Sequence, residues 1–337
     1  MKRKLIYTFL TLLCLAAITG IWAGIVLYNL SKPPMGNKVI IVHIERGMTL
    51  GEVSRMLESE GLVKSAEYIS WLGERKGLDT KIKAGEYELS SDWYPEKILT
   101  AITSGKVVAR RFTIPEGYTL KQIAQTLDDS GIVGKSEFIK AAADISMAAE
   151  WLPESAKNLE GVLFPDTYTY TKNDDAKSIV TMMVARFGQV FAPLWSERDR
   201  KPGMSPYEAI TLASIVEKET AADEERTLVA GVFFNRLKLG MRLMSDPTVI
   251  YGIPNFNGDI TRKDLRTPTP YNTYVNSGLP PGPICNPGAP SIEAALHPAP
   301  TKALYFVATR NGKHHFSETL DEHNKAVRKY QKRRGTD

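Results

Sequence analysis

The longest apolar stretch of the chain lies near its beginning. Residues 5–30 include no charged side chain, a run of 26 positions. A helix of about 17–25 residues crosses the hydrocarbon layer of a membrane, so this run is long enough to span it even when tilted. A cleaved signal peptide fits less well, because its apolar region should cover only about 7–15 residues before a small-residue cleavage site. The pattern predicts one uncleaved transmembrane helix at 5–30.

The pattern of apolar and polar positions that follows occurs twice, at an offset of 70 residues. Residues 44–50 pair without a gap with residues 114–120, and the correspondence continues well beyond them. In each copy a β-branched strand runs into a glycine turn. A threonine, Thr49 or Thr119, then occupies the N-cap position of an amphipathic helix. The chain therefore contains an internal repeat of one small structural unit.

Each copy continues with a second helix, and the first copy ends with a returning strand at 84–89. We predict two modules of the βααβ type at 39–108 and 109–157, with a linker at 31–38 before them. This order of elements resembles the LysM module, a small glycan-binding fold, and residues 112–120 are the closest match. In LysM modules the turn touches N-acetylglucosamine chains. The residues leave a second interpretation open, in which the repeats only hold the remaining chain away from the membrane.

The character of the sequence changes at about residue 158. Helical stretches there alternate with segments rich in Gly, Pro, Asn and Thr, and 267–300 is especially dense in Pro and Gly. Long irregular segments in a compact domain usually form sites. We predict an α+β domain at 158–327 and a basic tail at 328–337, so that the whole chain is of the α+β class. The predicted helices cover 176–187, 205–220, 225–238 and 319–331.

The distribution of charge limits the kinds of partner that the chain can bind and predicts its orientation in the membrane. The 43 basic and 38 acidic residues give a net charge of +5, and the two ends of the chain supply it. The body between them is close to neutral, so no nucleic-acid-binding face is expected. Residues 2–4 are all basic and only Lys32 follows the apolar run closely. Because basic flanks stay in the cytoplasm, we expect a cytoplasmic stub at 1–4, a single-pass anchor in the cytoplasmic (inner) membrane and the rest on its outer, periplasmic side.

Several catalytic chemistries lack their motif. H-E-x-x-H is absent and the five histidines show no zinc-ligand spacing, so neither a metal nor another cofactor is expected. S-x-x-K, G-x-S-x-G and glycine-rich phosphate loops are absent too. Cys14 lies in the apolar run and Cys285 in a Pro/Gly loop without an obvious base, which argues against a disulfide and against thiol catalysis. Acid–base catalysis by carboxylates therefore remains as the candidate chemistry.

The best carboxylates lie at the end of the predicted helix 205–220. Glu217 shares its face with small residues such as Ser214, which leave room for a substrate, whereas Glu219 shares its face with large aliphatic residues. An apolar helix end disfavours the ionised form of either carboxyl, as a general acid at neutral pH requires. Periodicity does not choose between the two. A plain ion pair with Lys218 or Arg226 at a frayed helix end is the alternative.

Residues 213–220 closely resemble the active-site helix of the endolytic murein transglycosylases of the YceG/MltG type. Further segments match that family in the same order along the chain, and the resemblance covers the anchor, the repeats and the main domain. These segments are 159–161, 164–168, 234–237, 245–252, 271–274, 278–284 and 294–298.

The resemblance implies that Glu217 is the catalytic residue and that the substrate is the MurNAc–GlcNAc strand of peptidoglycan. A lytic transglycosylase needs only one carboxyl, because the 6-hydroxyl of the sugar itself closes a 1,6-anhydro ring. Tyr271 and Asn272 are candidates for hydrogen bonds to the N-acetyl group of the substrate, with a packed loop and a turn as their plain alternatives. Further candidate substrate neighbours are Glu219, Asp246 and Ser214, which lies beside Glu217. The resemblance also implies work beside peptidoglycan synthases, where cleavage within nascent strands would end their elongation.

Two other functions stay open at this point. A muramidase-type hydrolase would need a second carboxylate, and Asp246 is the candidate, although its position before Pro247 favours a turn-shaping role. The other function is a peptidoglycan-binding scaffold without activity, which would tether the proteins of peptidoglycan synthesis. Loss of cleavage in Glu217→Gln with anhydro-ended wild-type products would separate the transglycosylase from both.

Overall fold

The computed structural model describes residues 2–198, 203–220, 222–254, 256–309 and 312–331. This part of the chain is a mixture of α-helices and short β-strands, as the α+β class requires. Residues 332–337 of the predicted basic tail lie outside the described residues. The chain divides into two compact units, Met1–Arg110 with Thr169–Asn173, and Arg111–Tyr168 with Asp174–Asp337. The predicted domain bounds stay predictions.

The first helix, α1, covers Lys2–Leu30 and contains the predicted apolar run. Its stretch Lys4–Leu30 is long and apolar enough to cross a membrane, and none of it is buried. Large side chains such as Phe9 and Trp22 are about two-thirds exposed, at 65% and 67%. An isolated helix that exposes so much apolar surface is unfavourable in water, so α1 fits a membrane anchor.

The rest of the first unit is a βααβ module followed by a helix. Strands β1 and β2 pair antiparallel, from Val39 opposite Ser90 to Ile44 opposite Gly85. Thr49 caps α2 as predicted, since its side chain and that of Glu52 each bond the backbone N–H of the other residue. Apolar residues of both strands and of the helices form one core. The elements are β1 (Val39–Ile44), α2 (Leu50–Ser59), α3 (Ala66–Arg75), β2 (Gly85–Ser90) and α4 (Pro95–Ser104).

The second copy of the repeat opens the second unit. Thr119 caps its first helix with the same reciprocal bonds, here with Gln122, which confirms the second predicted cap. The strand that pairs with β3 follows much later than in the first copy, after residue 157. A long segment with only a short 3₁₀ turn separates the two helices from that strand. The elements are β3 (Arg110–Thr113), α5 (Leu120–Asp129), α6 (Lys135–Ala141) and β4 (Thr167–Tyr170).

The remainder of the second unit is mainly helical. The four predicted helices are present, and the first of them continues through Pro193 to Glu197. Two short helices inside the irregular segments were not predicted, and each has a proline in its first turn, where the missing N–H costs nothing. Helix α11 packs against α8 and α9. The elements are α7 (Ala176–Glu197), α8 (Pro206–Glu219), α9 (Arg226–Lys238), α10 (Asp246–Tyr251), α11 (Ala289–Leu296), β5 (Tyr305–Ala308), β6 (His314–Ser317) and α12 (Leu320–Tyr330).

Candidate active site

Helix α8 holds Glu217 in a fixed place. Ser205 and Glu208 form a capping box at its start, and eight consecutive residues, 209–216, are buried. The helix does not fray at its end, because the N–H of Thr220 bonds the carbonyl oxygen of Val216. Glu217 follows the buried run and is half-buried. Its position is therefore set by a helix that is packed on all sides.

The Glu217 carboxylate lies between two glycines from other parts of the second unit. Its Oε2 accepts a hydrogen bond of 3.0 Å from the backbone N–H of Gly288, the N-cap residue of α11. On another side, a Cβ added to Gly117 would lie 3.5 Å from Cγ of Glu217. The end of α8 disfavours a negative charge and the start of α11 favours one, so the two helix ends oppose each other here. The Lys218 ammonium donates a hydrogen bond of 3.4 Å to the carbonyl oxygen of Gly117.

A second carboxylate, that of Glu116, lies against the same glycine. A Cβ added to Gly288 would fall 1.9 Å from Oε1 of Glu116, so only glycine leaves room for this side chain as it stands. Partial burial raises the pKa of Glu116, the negative charge of Glu217 raises it further, and the positive charge of Arg226 opposes both. Two acidic side chains from different elements thus converge on Gly288.

The Pro/Gly-rich loop before α11 is bonded to the buried face of α8. Ser214 is fully buried; its Oγ donates to the carbonyl oxygen of Thr211 at 2.7 Å and accepts from the N–H of Ile284 at 3.0 Å. The thiol of Cys285 lies 3.3 Å from the carbonyl oxygen of Ser214. Burial raises the pKa of that thiol. The structure therefore places Ser214 as a link between helix and loop, with both hydrogen-bonding capacities in use.

Asn286 ties three segments together at the centre of the second unit. Its Oδ1 accepts from the N–H groups of Gly161 and Leu163, both at 2.9 Å. Its Nδ2 donates to the carbonyl oxygen of Tyr118 and to Oε1 of Glu160, again at 2.9 Å. Its backbone adds two more bonds to the turn at 117–118. This one fully buried side chain fixes the turn that carries Glu116 and Gly117 relative to α8 and its loop.

Glu160 is the buried acid of this network. It is 5% exposed, and its carboxylate accepts from the N–H of Leu120 at 2.8 Å and from the hydroxyl of Tyr251 at 3.0 Å. Burial raises the pKa of Glu160 to about 7, although the hydrogen bonds of Leu120, Tyr251 and Asn286 favour the charged form. Near neutral pH this carboxyl is therefore only partly ionised.

Tyr271 and Asn272 lie on the loop at 267–276. Tyr271 is half-buried, and its ring packs against that of Tyr251 with centroids 4.8 Å apart. Burial raises the pKa of Tyr271 to about 12, and the nearby Tyr207 and Glu160 raise it as well. Asn272 is fully buried; its amide donates to three carbonyl oxygens at 264–267 and accepts from the N–H of Tyr274. Asn272 thus shapes its own loop, whereas Tyr271 keeps a surface free for a ligand.

Glu219 and Asp246 belong to a different cavity from the Glu217 carboxylate. Glu219 accepts from the hydroxyl of Ser245 at 2.5 Å, and burial raises the pKa of Glu219. Asp246, the first residue of α10, accepts from the hydroxyl of Tyr274 at 2.6 Å rather than bonding the local backbone. Both acids line a cavity of about 620 Å³ together with Arg236. The structure therefore brings Glu219 and Asp246 together, in a cavity whose lining does not include Glu217.

Sequence reasoning missed Glu116, Glu160, Asn286 and Gly288. One signal for Glu116 was available, because the matching position of the first copy is Arg46, a reversal of charge at an otherwise repeated turn. The partners of Asn286 come from distant segments, so no local pattern could have indicated them. Within the described residues, no group of three or more His, Cys, Asp or Glu side chains could hold a metal ion.

The match with known proteins extends over most of the chain. The model of the YceG-like family matches residues 42–329, and the chain belongs to that family. A crystal structure of a YceG-like protein from Listeria monocytogenes is similar in fold, with a TM-score of 0.58 and 38% sequence identity. That similarity covers 86% of this chain and all of the Listeria chain. The expected family is therefore confirmed.

Curated relatives carry a more specific name. The endolytic murein transglycosylase of Bacillus subtilis (strain 168) is 34% identical over 303 residues, which cover 86% of this chain and 84% of that protein. The endolytic murein transglycosylase of Streptococcus pneumoniae (strain D39) is 31% identical, over 96% of this chain. The chain spans 65% of the length of that streptococcal protein.

Proposed function

We propose that the protein is a lytic transglycosylase that cleaves the MurNAc–GlcNAc β-1,4 bond within peptidoglycan strands, with Glu217 as its acid and base. The observation that carries this proposal is the position of Glu217: a half-buried carboxylate at the end of a buried helix, held by the N–H of Gly288. The names of the curated relatives point to the same reaction. They favour it over the muramidase and over the inactive scaffold.

The reaction needs one proton, which returns to its donor. Protonated Glu217 gives its proton to the glycosidic oxygen, and the bond from C1 to that oxygen breaks with the electron pair leaving on the oxygen. The positive charge at C1 is shared with the ring oxygen or the N-acetyl group. The 6-hydroxyl of the same sugar then attacks C1 and passes its proton to the Glu217 carboxylate. The product ends in 1,6-anhydro-MurNAc, and no water is consumed.

The other candidate residues receive different parts in this proposal. Tyr271 is the substrate contact, because its half-buried ring and hydroxyl are not committed to the backbone of the loop. Asn272 and Ser214 act on the substrate only through the loops that they hold. The cavity with Glu219 and Asp246 is a second contact region for the polymer. Asp246 does not serve as a second catalytic carboxylate, since it shares a cavity with Glu219 and is bonded to Tyr274.

The surroundings of the enzyme are also part of the proposal. Helix α1 anchors the chain in the cytoplasmic membrane with residues 1–4 inside, so that the chain after residue 30 lies on the side where peptidoglycan is built. The two repeat copies are LysM-like modules, supported by their strand, capped helix and helix order. We also infer that the enzyme works beside peptidoglycan synthases, where its cleavage of nascent strands would end their elongation.

Digestion of purified, uncrosslinked glycan strands tests the proposal. Wild type should release fragments that end in 1,6-anhydro-MurNAc, as read by mass spectrometry. Glu217→Gln keeps the shape of the side chain but has no acidic proton, so its rate should fall by at least about 10³-fold. Glu293→Gln, an exposed carboxyl on α11, is the matched control and should cleave like wild type. Products with only reducing ends would instead identify a hydrolase.

A further inference from the structure

The turn between β3 and α5 brings an acidic side chain to the Glu217 site. This turn, 115–118, is fixed by backbone bonds from Gly117 N–H to the carbonyl oxygen of Asn286 and from Asn286 N–H to that of Tyr118. Gly117 has a φ of +74°, a conformation that only glycine adopts without strain. The turn is therefore a rigid platform, and its one acid, Glu116, rests on Gly288.

The separation of the two carboxylates is bounded by their common neighbour. Oε1 of Glu116 lies 1.9 Å from where a Cβ of Gly288 would be, and Oε2 of Glu217 lies 3.0 Å from the nitrogen of Gly288. With standard backbone geometry, these oxygens are no more than about 7.5 Å apart. Pairs of carboxylates that act across a glycosidic bond are separated by about 5–5.5 Å or about 6.5–9.5 Å. The Glu116–Glu217 pair is therefore no farther apart than the wider of these two classes allows.

The first copy of the repeat serves as an internal comparison. Its corresponding turn has Arg46 in place of Glu116 and Gly47, with a φ of +90°, in place of Gly117. A Cβ added to Gly47 would meet nothing within 4 Å, whereas one added to Gly117 would touch Glu217. The same turn is thus built twice, and the residue just before its glycine is an acid only in the copy that faces the site.

We propose that Glu116 is a second catalytic carboxylate, which lies beside the reacting sugar as an anion and stabilises the positive charge that develops at C1. This role rests on the proposed function, because it requires bond cleavage with Glu217 as the acid. In the reaction Glu116 forms no covalent bond and transfers no proton. It lowers the energy of the cationic transition state between bond cleavage and attack by the 6-hydroxyl.

Charged groups on α8 and α9 lie near Glu116. Glu217 faces it from α8, and the ammonium of Lys218 lies 3.4 Å from the carbonyl oxygen of Gly117. Arg226 acts on it from α9, but this guanidinium is already bonded to Asp223 and to Ser291. Burial and the nearby negative charge of Glu217 raise the pKa of Glu116, and the positive charge of Arg226 opposes that rise.

Kinetics of the full chain in detergent micelles on uncrosslinked strands test the inference. A unit charge about 6 Å from C1, at an effective dielectric constant of about 20, is worth about 10²-fold in rate. We therefore expect Glu116→Gln to lower kcat by about 10²-fold with little change in KM. The alkaline limb of its kcat–pH profile should move to lower pH, because the neighbouring negative charge is gone. Glu116→Asp keeps the charge and should recover most of kcat.

Two further variants make the outcomes separable. Glu293→Gln, the exposed carboxyl on α11, is the matched control and should behave like wild type. Failure of wild type to cleave, or full activity in Glu217→Gln, would refute the proposed function. Loss of activity in Glu217→Gln combined with an unchanged kcat and pH profile in Glu116→Gln would refute only the role of Glu116. A raised KM at constant kcat would reduce Glu116 to a binding residue, and wild-type reducing ends that disappear in Glu116→Gln would make it a water-activating base.

Discussion

The buried carboxyl of Glu160 should make the stability of the protein depend on pH. This side chain is 5% exposed, and burial raises its pKa from the usual 4.5 to about 7. Between these two values the folded chain holds a proton that the unfolded chain has released. The free energy of unfolding therefore falls as the pH rises through this window. The contribution is fully present below pH 4.5 and is lost above about pH 7.

The size of the effect follows from the same two pKa values. Each pH unit inside the window costs up to about 1.4 kcal/mol, and the whole shift amounts to about 3 kcal/mol. Glu160→Gln should abolish this dependence, because an amide does not titrate. Its oxygen can still accept from the N–H of Leu120 and from Asn286, and its amino group can donate to Tyr251. The variant should therefore match wild type near pH 4.5 and exceed its stability by about 3 kcal/mol near pH 8.

Urea unfolding of the full chain in detergent micelles, from pH 4.5 to pH 8, measures this difference. Subtracting the variant from wild type removes the contributions of the other titrating groups, among them Glu219, whose pKa burial also raises. Glu293→Gln, an exposed carboxyl, should give a flat difference curve. A wild-type curve parallel to that of Glu160→Gln at every pH would refute the argument, since it would mean that Glu160 ionises as readily in the folded chain as in the unfolded one.

Two more variants test the contacts at Gly288 and Asn286. Gly288→Ala keeps the N–H that holds Glu217, and alanine adopts the φ of −75° without strain, but the added methyl group displaces the Glu116 carboxylate. We therefore expect kcat to fall about as much as in Glu116→Gln. The free energy of unfolding in urea should fall by less than about 1 kcal/mol. In the Glu116→Gln background the same change should add little, and additive losses would contradict the shared mechanism. Asn286→Ala removes four buried hydrogen bonds and should lower the free energy of unfolding by about 3 kcal/mol or more. Asn276→Ala, at an exposed site, is its control and should lower the same free energy by about 1 kcal/mol or less.

Local signals in the sequence were sufficient for the elements that carry the site. Thr49 and Thr119 predicted the starts of their helices, because an N-cap residue and its partner three residues later form a self-contained hydrogen-bonded unit. The largely apolar helix narrowed the candidate acid to Glu217 or Glu219, and only the resemblance to the murein transglycosylases chose Glu217. The helices α10 and α11 were not predicted, because each is short and has a proline as its second residue, inside a segment whose composition is typical of a loop.

The contacts that turn Glu217 into a site were outside the reach of such signals. Gly288 and Asn286 belong to a loop whose partners are a helix, a turn and a second loop far away in the sequence. Composition predicted that the Pro/Gly-rich segment forms a site but not which of its atoms do so. Ser214 shows the converse limit: its place beside Glu217 on the helix was correct, yet its hydroxyl serves the loop rather than a ligand.

The two copies of the repeat share one turn conformation but differ in the charge that the turn carries before its glycine. Both turns need a glycine with positive φ, and both lead into a capped helix, so the conformation is set by the turn and not by what faces it. What differs is the neighbour: the second turn is bonded through Asn286 to the loop before α11, and this brings position 116 to the Glu217 carboxylate. An arginine there, as in the first copy, would place a positive charge beside the reacting sugar and oppose the positive charge that develops at C1. A glutamate places a negative charge there, so the reversal of charge between the copies has a chemical reason in the proposed reaction.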